Sequence, residues 1–292
     1  MSATWRAGLV VAAALLVAAG GVSAVEPTAI DEAVEHFKAG RFDAALEATE
    51  RVASDDALRA RAAYLAGEVS LARGDALGAQ GYFQEAAAKK PVPAVLGALG
   101  HAYLLPGKAD EAVEALSKAV AGDAKTARYR AWLGLAHLRA GRADAAKRDV
   151  AAASKPAPTD PDVVKAVVEE RLAAQDADGA TKAVAVFAKA AKDHPLGPFL
   201  EAVVLDRAGK TDAAIAAYQR ALKLDEGFLD AHKNLAILCV TQNPLYSVPA
   251  RTKLAMEHFA AYAERGGKDA EVLQVYETLK SFLSSQGGGG GK

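Results

Sequence analysis

The sequence predicts an all-α fold, an α-α superhelix built by stacking helical hairpins, and three observations carry that prediction. A glycine recurs at Gly40, Gly74, Gly107, Gly141 and Gly209, with spacings of 34, 33, 34 and then 68 residues, which is twice 34. An alanine follows each glycine by five residues (Ala45, Ala79, Ala112, Ala146, Ala214), and a small residue precedes it by seven (Ala33, Gly67, Gly100, Gly134, Ala202). The stretches on either side of each glycine have helical periodicity. A fixed period of this length is the signature of a repeat architecture.

One repeat shows why. Before Gly107, the residues Leu96, Leu99, Gly100, Tyr103 and Leu104 recur at three- and four-residue steps; after it, Ala112, Val113, Leu116, Ala119 and Val120 do the same. Both stretches read as amphipathic helices. The glycine between them is the residue that adopts a left-handed conformation at a helix C-terminus without a Cβ penalty. Asp43, Asp110, Asp144 and Asp212 stand three residues after their glycines, at or near the N-cap of the second helix, where a carboxylate meets free amides. One repeat departs: Asp75 follows Gly74 directly, and Leu77 takes the usual aspartate place.

Small residues predict close helix approach, as at Gly100 and Ala112. Twelve residues after each glycine come Val52, Ala86, Ala119, Ala153 and Ala221, again small; nine after come Thr49, Phe83, Leu116, Val150 and Tyr218, mostly large, expected to fill the space between hairpins. A hairpin this short cannot bury its own apolar face, so it must stack on neighbours.

This pattern resembles the tetratricopeptide repeat, with clear matches over 28–158 and 196–226 and weaker ones over 160–195 and 229–265. The family's proline after the second helix is present as Pro91, Pro158 and Pro195 and missing elsewhere. The resemblance implies a right-handed superhelix whose concave groove, lined by the first helices, holds a peptide or helix of a partner protein; it implies no chemistry. By the phase of the glycines, the groove positions carried over are Arg61, Tyr64, Glu68, His101, Leu104, Arg128, Trp132, Leu135, Arg139, Phe199 and Arg207. Aromatic and arginine side chains are common interface anchors. The alternative for Trp132 and Phe199 is inter-repeat packing. The family's carboxylate-clamping mode needs lysines and asparagines where this chain has Tyr64, Gly97, Ala131 and Trp132, so that mode is not expected.

Composition agrees with close-packed helices: 51% hydrophobic but only 6% aromatic, with alanine carrying the apolar weight. The formal charge of −1 favours neither nucleic acid nor anionic lipid as partner. A single cysteine, Cys239, rules out an intramolecular disulfide.

The N-terminal 24 residues read as a secretory signal peptide. Arg6 precedes an apolar run over 7–19, too short to span a bilayer comfortably, and Val22, Ser23 and Ala24 form a cleavage site after Ala24. An uncleaved membrane anchor is the alternative. The expected location is periplasmic or secreted, with membrane contact only through this segment. Residues 25–158 hold repeats one to four. Residues 159–267 hold repeats five to seven, the fifth degenerate with a first helix over 161–175, the seventh interrupted by an insertion over 241–252. A capping helix over 268–285 begins at Asp269, with Val272, Val275, Tyr276, Leu279 and Phe282 in one stripe; a disordered glycine-rich tail, 286–292, follows. The proline-rich stretch 154–161 is read as an ordinary turn because the glycine phase continues across it.

No catalytic, cofactor or metal site is expected, and no small-molecule substrate. No histidine pair has the i, i+4 spacing of a helical zinc site. His232 and Cys239 lie seven apart, about 10 Å of helical rise, too far for a nucleophile pair. Gly209, Lys210 and Thr211 imitate a phosphate loop but lack its earlier glycine and preceding strand. The functional expectation is an exported scaffold that binds a partner segment within a bacterial envelope complex for motility, secretion or outer-membrane assembly. An enzyme built from the insertion with His232, Cys239 and His258, or a membrane-anchored assembly factor, are the rival readings.

Overall fold

The computed structural model describes residues 27–52, 56–242 and 247–287, and every described element is a helix or a turn. The signal-peptide segment, the tip of the 241–252 insertion and the end of the glycine-rich tail lie outside the described residues. Among the described residues fifteen helices follow one another: α1 (Pro27–Lys38), α2 (Phe42–Glu50), α3 (Asp56–Ala72), α4 (Ala76–Lys89), α5 (Pro93–Leu104), α6 (Ala109–Gly122), α7 (Ala127–Arg139), α8 (Ala143–Ser154), α9 (Pro161–Ala173), α10 (Ala177–Ala190), α11 (Leu196–Arg207), α12 (Thr211–Leu224), α13 (Leu229–Thr241), α14 (Pro249–Glu264) and α15 (Ala270–Gly287). The chain is all-α, as the periodicity predicts. It divides into two compact units, Met1–Ala174 and Gln175–Lys292.

The hairpin turns form for the expected reason. All five marker glycines have φ between 70° and 80°. The residue after each donates its amide five residues back, as Arg41 N to His36 O and Arg142 N to His137 O, closing a Schellman turn. Gln175 stands 34 residues after Gly141 and 34 before Gly209. It adopts the same conformation at φ 59°, so the fifth turn is made without glycine. The first helix there ends at Ala173 rather than at Gln175.

The capping expectation holds in position but not in hydrogen bonding. The N-caps of α2, α6, α8 and α12 are Arg41, Lys108, Arg142 and Lys210, none of which makes a side-chain cap bond. Asp43, Asp110, Asp144 and Asp212 sit one step inside the helix, in its first turn. Three of them pair instead with arginines of a later hairpin: Arg73 with Asp43 at 2.8 Å, Arg142 with Asp110 at 2.6 Å, and Arg251 with Asp212 at 2.8 Å. Where the aspartate directly follows the turn residue, it does cap. Asp75 accepts from Gly78 N at 2.9 Å and Asp176 from Gly179 N at 2.8 Å. Asp160 accepts from Asp162 N and Val163 N ahead of Pro161.

The small residues admit side chains rather than bare backbones. A Cβ on Gly67, Gly100 or Gly134 would lie 2.6, 2.4 or 2.5 Å from Phe83, Leu116 or Val150 respectively. The large residue nine after each glycine therefore fills space inside its own hairpin as well as against the next. The alanines five after each glycine are completely buried. Within the N-terminal unit each second helix packs on the following first helix. First helices also touch one another directly, α1 with α3, α5 with α7 and α7 with α9, so they make one face of that unit.

In the C-terminal unit α13 pairs with α14 and α14 with α15. Arg251 holds the near end of the interrupted hairpin by donating to Gln242 O at 2.8 Å. Asp269 accepts from Val272 N at 3.3 Å, capping α15 as expected. Val272 and Leu279 are buried, but Val275 is 38% exposed and leaves the predicted stripe.

Candidate functional site

Five predicted groove residues of the N-terminal unit, Glu68, His101, Arg128, Trp132 and Arg139, make with Asp160 and Asp162 a connected polar and aromatic cluster on the first-helix face. Trp132 of α7 is half-buried and stacks on His101 of α5, with centroids 4.5 Å apart and planes 13° from parallel. The Arg128 guanidinium lies 5.9 Å from the Trp132 ring centre. Arg128 is itself gripped by the start of α9, with Nη2 donating to Asp160 at 3.1 Å. Its Nε lies 2.9 Å from Asp162 Oδ2 but off the N–H axis, an ion pair rather than an aligned hydrogen bond. Burial works against the charge of Arg128, yet Asp162 and Asp160 together raise its pKa. Tyr129 covers Gly97, where a Cβ would meet the ring at 2.4 Å.

Electrostatics set two of these groups apart. Burial pushes the Glu68 carboxyl up to about 7, with Tyr64 and Arg128 pulling it back and Asp162 adding to the rise. Its Oε2 has no hydrogen-bond partner. Burial pushes His101 down to about 4, so its ring is neutral at physiological pH. Arg139 donates to Leu104 O and lies 3.9 Å from Glu169.

The remaining predicted positions fall elsewhere. Tyr64, Leu104 and Leu135 are packed in the interior, and Arg61 is half-buried on α3. In the C-terminal unit Phe199 is only 7% exposed and packs against Tyr218 and Phe228, at 5.8 and 4.9 Å between ring centres. That is the packing role weighed for it above. Arg207 is exposed at the end of α11. Asp160 and Asp162, which hold Arg128, were legible only as a helix start because their partner lies 32 and 34 residues upstream.

Of the residues named for a rival enzyme, two come together and the third is shut away, while the tip of the insertion lies outside the described residues. Cys239 is fully buried and its thiol is pushed up to about 11, which disfavours a thiolate nucleophile. His232 instead meets His258, with 2.9 Å between their Nδ1 atoms. Among the described residues there is no cluster of three or more metal-ligating side chains, and no helix is long and apolar enough to cross a membrane.

Comparison with known proteins agrees with this architecture. The family model for the tetratricopeptide repeat matches residues 30–92, 98–161 and 199–270. A search of curated proteins finds no match. Among solved structures, the chain is similar to a tetratricopeptide repeat protein from Parabacteroides merdae at 11% identity and TM-score 0.62, covering 87% of this chain and 98% of that one. Yeast Tom70 gives 17% identity and TM-score 0.59, over 92% of this chain and 66% of that one. A thermophilic protein of the same repeat type from Thermus thermophilus gives 21% identity and TM-score 0.51, over 63% and 99%. At these identities the likeness is one of fold. With the family model matched over most of its length, the chain belongs to the tetratricopeptide repeat family.

Proposed function

We propose that this protein is an exported interaction scaffold whose N-terminal unit holds a segment of a partner protein against its first-helix face. Helical-repeat proteins of this type are interaction scaffolds in general, and the partner-binding face is the further step. The observation that carries it is the His101–Trp132–Arg128 stack. It sets an indole, half-open to solvent, beside a guanidinium fixed by two carboxylates. A held arginine and a flat aromatic surface lose little side-chain freedom on binding, which favours a hot spot. An extended or helical segment suits such a face.

The envelope setting rests on the basic, apolar and small-residue order of the first 24 residues. Sequencing the N-terminus of exported protein tests it: a start at Val25 is expected, and retention of Trp5 removes the cleavage claim. For the face itself, a photocrosslinker at residue 132 is expected to capture a defined envelope protein, whereas one at exposed Lys147 on α8 is not. Trp132→Ala is expected to abolish that capture while helicity and thermal unfolding stay nearly unchanged. Equal capture from both positions would sink the assignment.

A further inference from the structure

The interrupted seventh hairpin brings together two histidines that stand 26 residues apart in the chain. His232 of α13 and His258 of α14 face each other with their Nδ1 atoms 2.9 Å apart and their rings tilted by 48°. His232 Nε2 lies 3.0 Å from the Glu226 carbonyl oxygen. A carbonyl can only accept, so Nε2 carries the His232 proton and its Nδ1 is a bare lone pair. The Nδ1–H of His258 therefore donates to it.

We propose that His232 and His258 form a binding site for a divalent transition metal ion, of the copper(II) or nickel(II) class, through their two Nδ1 atoms. Three features support it. First, a metal-ligating histidine characteristically has its other ring N–H fixed by a carbonyl or carboxylate, and Glu226 already does this for His232. Second, His258 can pass its proton from Nδ1 to Nε2 as a change of tautomer, so both lone pairs become available without ionising either ring.

Third, the spacing is compatible with a tetragonal geometry. Two nitrogens at about 2.0 Å from a metal lie roughly 2.8 Å apart at a right angle and roughly 3.3 Å apart at a tetrahedral one. The observed 2.9 Å is the length of the hydrogen bond now joining the rings; it lies inside that range, nearer its right-angled end, so a small swing of each ring that turns its lone pair off the N···N line admits a tetragonal site. Imidazole ligands in that geometry favour copper(II) or nickel(II) over zinc. The charged groups that act on His232 are Arg265 and Asp225, of opposite sign. Cys239 lies seven residues further along α13, about 10 Å of rise away, and takes no part. His258 is half-exposed, which gives an ion its entrance and leaves the other coordination positions to water or to a side chain of another protein.

Calorimetric titration of the full chain with nickel(II) at pH 7.5 is expected to show one equivalent. His232→Gln and His258→Gln are each expected to weaken it by on the order of 100-fold, while His36→Gln leaves it unchanged. Copper(II) bound to the unmodified chain is expected to give an axial paramagnetic resonance spectrum with coupling to two imidazole nitrogens. Absence of binding overturns the proposal, as does unaltered binding in a folded His258→Gln variant. Should both variants unfold, a copper spectrum lacking two imidazole nitrogens does so.

Discussion

Glu68 and His101 lie on neighbouring first helices with opposite proton preferences. Glu68 is raised from 4.5 to about 7, so its contribution to stability is complete below 4.5 and is lost as pH rises to 7. His101 is lowered from 6.5 to about 4, so its contribution is complete above 6.5 and is lost as pH falls to 4. Between about 4.5 and 6.5 the two slopes oppose each other and the N-terminal unit should show little pH dependence from this pair. Glu68→Gln removes one slope. The variant is expected to gain stability relative to the unmodified chain on going from pH 5 to pH 8, by up to about 3 kcal/mol. Chemical denaturation at the two pH values measures it; an equal change in both proteins would show that Glu68 ionises freely in the fold. Gln175 marks the other limit at this scale. The sequence places it in phase with the glycines, and Ala180 keeps its place five residues on, fully buried. Its left-handed backbone is invisible to a search for glycine, because the surrounding hairpin and not the residue's own preference imposes it.

Single helices are specified by punctuation and by volume. The turn glycines and helix periods were readable because both act within a few residues, and the helices follow them closely. The aspartates near the helix starts lie where the sequence puts them, but which of them caps an amide was not readable, because a carboxylate there satisfies either an amide or the dipole. The paired first and second helices depend on the match of small to large. Gly100→Ala would set a methyl group 2.4 Å from Leu116 Cγ, with the leucine fully buried and unable to retreat. It is expected to cost about 1–3 kcal/mol. Adding Leu116→Val should recover part of that loss, since the shorter side chain leaves room for the new methyl. Thermal unfolding of the single and double variants reads the effect, and additive losses would refute direct contact.

For the molecule as a whole, stacking carries stability, so an array must be closed by a helix with a polar outer face. In the C-terminal unit α15 packs on α14, and we propose that it serves as that closing helix. Tyr276 sits 6.0 Å from buried Phe259, and the Tyr262 hydroxyl accepts from Asp269 N at 3.1 Å. A chain truncated after Gly267 is expected to lower the unfolding midpoint of that unit and to self-associate, as followed by calorimetry and light scattering. Unchanged stability and dispersity would mean that α15 closes nothing. Periodicity along the chain was enough to dictate the helices, their pairing into hairpins and the repeat family, since these follow from local conformation and from the contact of sequence neighbours. Folding in three dimensions alone decided that Trp132 lies on His101, that Arg128 is held by Asp160 and Asp162, and that His232 meets His258. Those partners stand some 26 to 34 residues apart, and no local preference records which side chain a neighbouring hairpin will present.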